Sequence, residues 1–289
     1  MEALGNYILS STEWLYVKVC ETPLFFIDYW SFVHFWSGLV IFSLLLGRIK
    51  QRRYLVCATI LLLYECIEIA FIYGAFHVFR PETLKDQGTD IAVGLAGAWC
   101  ARWWATSRSQ GILAGSRSDI TAGFVSVTIA FVWVGFYGYR YNTEMLNSAG
   151  INWWAFTLWS AAHFAVIRTF LKVNTGPTGG VSATLRVWSS YLTGLFLIEF
   201  AGFHLLHIRE IGRPVRAALF GDILHGTPVT FLYYTSAPLI TILIFNRFER
   251  LFDNAAKSVG RASSHRRRPE CVSSESTHRK GIERFAPVE

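Results

Sequence analysis

The chain has 289 residues, 52% of them hydrophobic and only 16% charged, with 11 Trp, 12 Tyr and 23 Phe. Soluble domains carry about 25% charged residues, so composition excludes a soluble globular protein, and repeated apolar runs of about 20 residues indicate a multi-pass membrane protein. The net charge of +7 resembles that of a nucleic-acid binder, but the placement of the basic residues assigns it to membrane topology, and no nucleic-acid partner is expected.

Taken in order, residues 1–24 read as an external or interfacial segment. Their first part, MEALGNYILSSTEWLYVKVC, lacks the basic region and clean apolar core of a cleavable signal peptide and suits an amphipathic helix lying at the interface. Seven spans follow, at about 25–46, 54–76, 87–104, 120–139, 152–171, 187–207 and 223–245. The third is the least apolar. The fourth, ITAGFVSVTIAFVWVGFYGY, carries no ionisable group except its closing tyrosines and reads as a linker. Cys20, Cys57, Cys66, Cys100 and Cys271 show no zinc or redox spacing, so the cysteines in apolar runs are read as packing residues.

Lys and Arg set the orientation. With the N-terminus outside, the inner segments hold Arg48, Lys50, Arg52 and Arg53, three residues at 102–117, three at 168–186 and ten from Arg247 onward, twenty of the twenty-seven. This places the N-terminus outside and the C-terminus in the cytoplasm. The tail 247–289 is polar and serine-rich, with a basic triplet at Arg266 to Arg268, a disordered composition suited to contact with anionic lipid headgroups.

The last three spans echo the first three. Trp30-x3-His34 answers Trp159-x3-His163, Glu68 answers Glu199, and Asp90-x3-Gly94 answers Asp222-x3-Gly226. Order and spacing of this kind indicate duplication. The fold expected is therefore all-α, with about seven transmembrane helices as a 3+1+3 parallel repeat: a first unit at 25–105, a linker with the fourth span at 106–151, and a second unit at 152–246.

Ionisable residues inside a bilayer are costly, by roughly 2.5–3.5 kcal/mol at a helix centre, and mark sites. Glu65 and Glu68 share a helix face, as do Asp86 and Asp90; these four are the candidate catalytic carboxylates. His34, Glu68, Asp90, His163, Glu199, Asp222 and His225 are the candidate metal ligands, a His/carboxylate set that suits Fe, Mn or Zn. His77, His204 and His207 also fall toward the outer side. A bound metal activates water for hydrolysis of a lipid-linked substrate; the same groups serve a proton relay or a transport path; Arg80, Lys85, Arg209, Arg213 and Arg216 suit a lipid phosphate. Trp30, Trp36, Trp153, Trp154 and Trp159 offer partner surfaces if the chain is instead a structural subunit, though aromatic-belt anchoring also explains them.

Residues 25–105 resemble the VanZ-like family of bacterial membrane proteins, including its YjdF-like branch. The resemblance lies in His34 of DYWSFVHFWSG, the Glu65-x2-Glu68 pair of YECIEIA, and ETLKDQGTDIAVGLAGA with Asp86, Asp90, Gly94 and Gly97. It implies a polytopic protein associated with glycopeptide resistance and with envelope or lipid biology, and no settled reaction. The chain departs from that family by its second unit, where the glutamate pair is reduced to Glu199 and His204, His207 and His225 are added.

Overall fold

The computed structural model describes residues 12–49, 51–73, 83–110, 117–148, 150–174, 180–212, 217–219 and 224–266. Among these residues the chain forms seven long helices: α1 (Tyr29–Arg48), α2 (Arg53–Ile67), α3 (Leu84–Ser109), α4 (Arg117–Tyr137), α5 (Trp153–Val173), α6 (Val181–Phe200) and α7 (Pro228–Arg266). The helical class is as expected. Two short antiparallel hairpins stand beside them, β1 (Lys18–Glu21) with β2 (Phe26–Asp28), and β3 (Ala217–Leu219) with β4 (Leu224–Gly226).

Four helical stretches are long and apolar enough to cross a membrane: Tyr29–Arg48, Ser118–Tyr137, Val181–Leu205 and Pro228–Gly260. The α-helical part of α2 is only 15 residues long, and α3 carries Lys85, Asp86, Asp90, Arg102 and Arg108 along its length. Outward faces are nonetheless apolar: Leu62, Leu63 and Ile67 on α2, Leu197 and Ile198 on α6, and Leu232 and Leu243 on α7 are all exposed. A surface so widely apolar suits lipid, and water would leave it a large exposed patch.

Capping explains where helices begin. The expected first span starts at 25, but α1 starts at Tyr29 because Asp28 and Ser31 form a capping box: the Ser31 amide donates to Asp28 Oδ1 at 2.9 Å, and the Asp28 amide donates to Ser31 Oγ at 3.4 Å. Thr83 caps α3 by accepting from the Asp86 amide, and Asn152 caps α5 by accepting from the Ala155 amide at 2.9 Å. Two helices run on into π-helical turns, α2 through Glu68–Tyr73 and α6 through Ala201–Leu205. Such turns are rare and gather at functional sites.

The closest helix pair is α1 with α3, and glycine makes it so. A Cβ added at Gly38 would overlap the backbone carbonyl of Gly94, and one at Gly97 would overlap the carbonyl of Phe35. Ala98, Ala101 and Ala105 continue the small-residue seam, all buried. Below it, Phe42, Leu46, Cys57 and Leu61 pack with Phe252 and Ala255 of α7. Small residues at this spacing let backbones approach, the usual means of helix association in membranes.

Three expectations change. The fourth span, read as a linker, is the most enclosed of the four apolar stretches, with 61% of its window buried; it packs on α5 and α7 through Ala122, Val125, Ile167 and Phe245. The tail expected to be disordered from 247 begins as ordered helix, because α7 continues to Arg266 and buries Phe252, Ala255 and Ala256 against the first unit. Residues 267–289 lie outside the described residues. Finally, the alignment of Asp90-x3-Gly94 with Asp222-x3-Gly226 sets a helical glycine of α3 against Gly226 in strand β4, so that pair does not share local structure.

Candidate functional site

The seam between α1 and α3 explains how the first cluster is assembled. His34 lies one helical turn from Gly38, and Asp90 lies one turn from Gly94. Leu61 of α2 also packs on Gly94, where an added Cβ would lie 2.7 Å from Leu61 Cδ1, and Glu65 is one turn from Leu61. A short loop reverses the chain between α1 and α2, so that turn points to the same side of the crossing. Three helices thus each present one polar side chain just beyond their shared contact.

These side chains meet. His34 Nδ1 lies 3.5 Å from Glu65 Oε1, and His34 Nε2 lies 3.6 Å from Asp90 Oδ2. All three residues are buried, each 3% exposed or less, and one ligand atom from each falls within 4.8 Å of the others. Two ligands of one ion bound at about 2.2 Å can stand at most about 4.4 Å apart, so three ligand atoms within 4.8 Å of one another stand near the spacing that a common ion needs. With each imidazole nitrogen turned to a different carboxylate, at least two protons held within the trio make both approaches attractive. A cation held by His34, Glu65 and Asp90 would compete with those protons.

Glu68 follows Glu65 on the same face, buried at 5% exposure. Among the described residues, neither of its oxygens has a hydrogen-bond partner of good geometry, although the Tyr64 hydroxyl and the Trp30 indole lie on its side of the site. A buried carboxylate without firm partners is costly, and Glu68 lies outside the ligand cluster formed by His34, Glu65 and Asp90. Trp30 and Tyr64 meet the His34 ring edge-on at 6.1 and 5.8 Å between centroids.

Asp86, the remaining candidate carboxylate, stands nearer the surface, outside the expected span 87–104. Burial and then the Asp28 carboxylate push it up to about 6, against the pull of Lys18 and Lys85. The folded protein therefore holds this proton more tightly than the unfolded chain, whose Asp titrates near 3.8. That contribution to stability is complete below pH 3.8 and is lost as pH rises through 6. Asp86 is only half-buried, so solvent reduces the effect to on the order of 1 kcal/mol. Thermal unfolding measured on either side of this window should show the loss in the wild type and a flatter response in Asp86→Asn.

Sequence reasoning missed Asp28 and Ser31. Ser31 Oγ lies 3.1 Å from Asp90 Oδ1 and 3.3 Å from Asp28 Oδ1, so one hydroxyl ties the cap of α1 to the site. The first hairpin is fixed above by the Phe26 amide donating to Thr89 Oγ1 and by Glu21, which meets Lys18 at 2.9 Å and Lys85 at 3.4 Å. The run DYW at the start of an apolar stretch reads as a boundary; the serine three residues on was the available signal.

The second unit is arranged otherwise. His163 is fully buried with both nitrogens engaged: Thr241 Oγ1 donates to the Ala237 carbonyl at 2.7 Å, so His163 Nδ1 donates to Thr241 at 2.8 Å and Nε2 accepts from the Tyr233 hydroxyl at 2.6 Å. Glu199 accepts from the Tyr234 hydroxyl at 2.7 Å. His225 stacks on Phe203, rings 3.4 Å apart, with His204 at 5.7 Å, and the His207 carbonyl accepts from Asn142. Asp222, His77, Arg80, Arg213 and Arg216 lie outside the described residues. Of the expected metal set, then, only His34 and Asp90 fall in a ligand cluster among the described residues; its third member is Glu65, while His163, Glu199 and His225 have other surroundings.

No family model, no curated protein and no solved structure matches the chain.

Proposed function

We propose that the chain is an integral protein of a bacterial inner membrane, N-terminus outside and C-terminus inside, whose first unit binds a divalent cation through His34, Glu65 and Asp90 with Glu68 beside them. The convergence of three buried ionisable side chains from three helices carries this reading. Packing alone needs no such set, since each charge is costly in lipid. A bound Fe, Mn or Zn ion would supply Lewis acidity there, and Glu68 would serve as the base. The substrate class that fits is a lipid-linked molecule of envelope or lipid metabolism, presented from the outer half of the bilayer. The VanZ-like reading of residues 25–105 points the same way.

The seven-span, 3+1+3 reading belongs to this proposal. It is supported by the π-helical turns that extend the second helix of each unit and by the buried His34 and His163, each one turn after a tryptophan. The second unit, with hydroxyl partners in place of carboxylates, then supports rather than repeats the site. A second reading, a proton relay in a transport or resistance protein, rests on the two imidazole nitrogens facing different carboxylates.

Elemental analysis of detergent-purified protein decides between them. About one transition-metal ion per chain is expected, falling by more than about tenfold in Glu65→Gln and Asp90→Asn. Absence of metal from wild-type protein purified with metal supplied would sink the cation reading and leave the relay.

A further inference from the structure

A second site lies between α5 and α6. Their facing positions are small, with Ala162 and Ala165 opposite Ser190 and Gly194, and the gap is a cavity of about 860 Å³. It is lined along α5 from Trp154 to Thr169, a length of roughly 22 Å at 1.5 Å per residue, much of a hydrocarbon core about 30 Å thick. Leu158, Val166, Val187, Leu195 and Ile198 make its long wall apolar.

Among the described residues, the charged side chains of the lining gather at one end. Glu199, Arg209, Glu210 and His225 all line the cavity there, where α6 ends and α5 begins. Arg209 lies 4.9 Å over the Phe203 ring, whose plane also carries His225. Glu199 and Glu210 each accept one tyrosine hydroxyl, from Tyr234 at 2.7 Å and Tyr137 at 2.9 Å. A carboxylate has about four acceptor sites, so Glu199, which accepts from Tyr234, keeps capacity for a donor from a ligand.

From a long apolar slot with two carboxylates and one guanidinium at its outer end, we propose that the α5–α6 cavity binds a phospholipid with a primary-amine headgroup, of the phosphatidylethanolamine type. The acyl chain fills the slot, the phosphate meets Arg209, and the ammonium donates to Glu199 and Glu210. A trimethylated amine has no N–H to donate, and an anionic headgroup would meet two carboxylates, so both are disfavoured. This site is separate from the His34 cluster and does not depend on the reading of that cluster.

Glycine supplies the test. A Cβ at Gly194 or at Gly202, both in the cavity wall, meets nothing within 4 Å, so larger side chains can enter the slot without moving backbone. Purified protein is incubated separately with phosphatidylethanolamine, phosphatidylcholine, phosphatidylglycerol and diacylglycerol, and retained lipid is counted by native mass spectrometry. Phosphatidylethanolamine should be retained about tenfold better than the other three, the worth of a charge-assisted contact. Gly194→Phe should abolish its retention at an unchanged unfolding temperature, and Glu199→Gln should reduce it toward the diacylglycerol level. Should Gly194→Phe not fold, Gly202→Leu takes its place. Equal retention of all four lipids, or full retention in a folded cavity-filling variant, would overturn the proposal.

Discussion

Gly38→Ala and Gly97→Ala are each expected to destabilise the protein by about 3 kcal/mol, the upper end of the cost of overpacking, although each adds one methyl group. The added carbon at Gly38 falls on the carbonyl of Gly94, and that at Gly97 on the carbonyl of Phe35. Neither obstacle is a flexible side chain; both are backbone within helices, so α1 and α3 must separate. Gly123→Ala in α4 is the control, because nothing lies within 4 Å of its new carbon and alanine is favoured over glycine in a helix by about 1 kcal/mol. Unfolding temperatures of the three variants in detergent should therefore move in opposite directions, two down and one up. The same separation draws His34 away from Asp90, so any folded fraction of Gly38→Ala should bind metal more weakly than wild type. If all three variants melt alike, the close seam is not present.

How far the site could be read from the sequence follows from what residue type alone conveys. Carboxylates and a histidine in apolar runs announce themselves by their cost, which is why His34, Glu65, Glu68, Asp86 and Asp90 were all legible. What the sequence does not convey is which of them face one another. Glu65 rather than Glu68 completes the trio with His34 and Asp90, because Leu61 packs on Gly94 and fixes the rotation of α2. Gly94 and Gly97 were visible within a motif, but their partner Gly38 became meaningful only once α1 lay on α3. In the second unit the partners of His163 and Glu199 are hydroxyls of Tyr233, Thr241 and Tyr234. In a chain with 12 tyrosines, no spacing rule selects those. The fourth span looked plain for a related reason: it lacks charge because it is enclosed by α5 and α7, not because it merely connects.

Arg108→Ala is expected to cost about 3–5 kcal/mol, the penalty of leaving buried charge without its partner. Arg108 is 5% exposed near the C-terminal end of α3, and its Nη2 lies 2.6 Å from Glu249 and 2.8 Å from Asp253 of α7. Glu249 is itself largely enclosed, with its side chain 17% exposed, so removing the guanidinium strands a carboxylate between helices. Arg108→Met combined with Glu249→Met should recover much of the loss, since replacing both members of a buried pair by apolar groups is often neutral. A lysine at 108 should recover less, because a single ammonium cannot reproduce the geometry of a guanidinium between two carboxylates. Chemical or thermal unfolding of the three variants checks the order. The consequence reaches the opposite end of the bundle. The first hairpin holds α3 at Thr89, Ser31 of α1 holds it at Asp90, and α7 holds it at Arg108, so the helix that carries Asp90 is fixed at both ends. Loss of the Arg108 contact should therefore weaken metal retention at the trio although Arg108 touches none of its members, whereas the Met pair should restore retention together with stability.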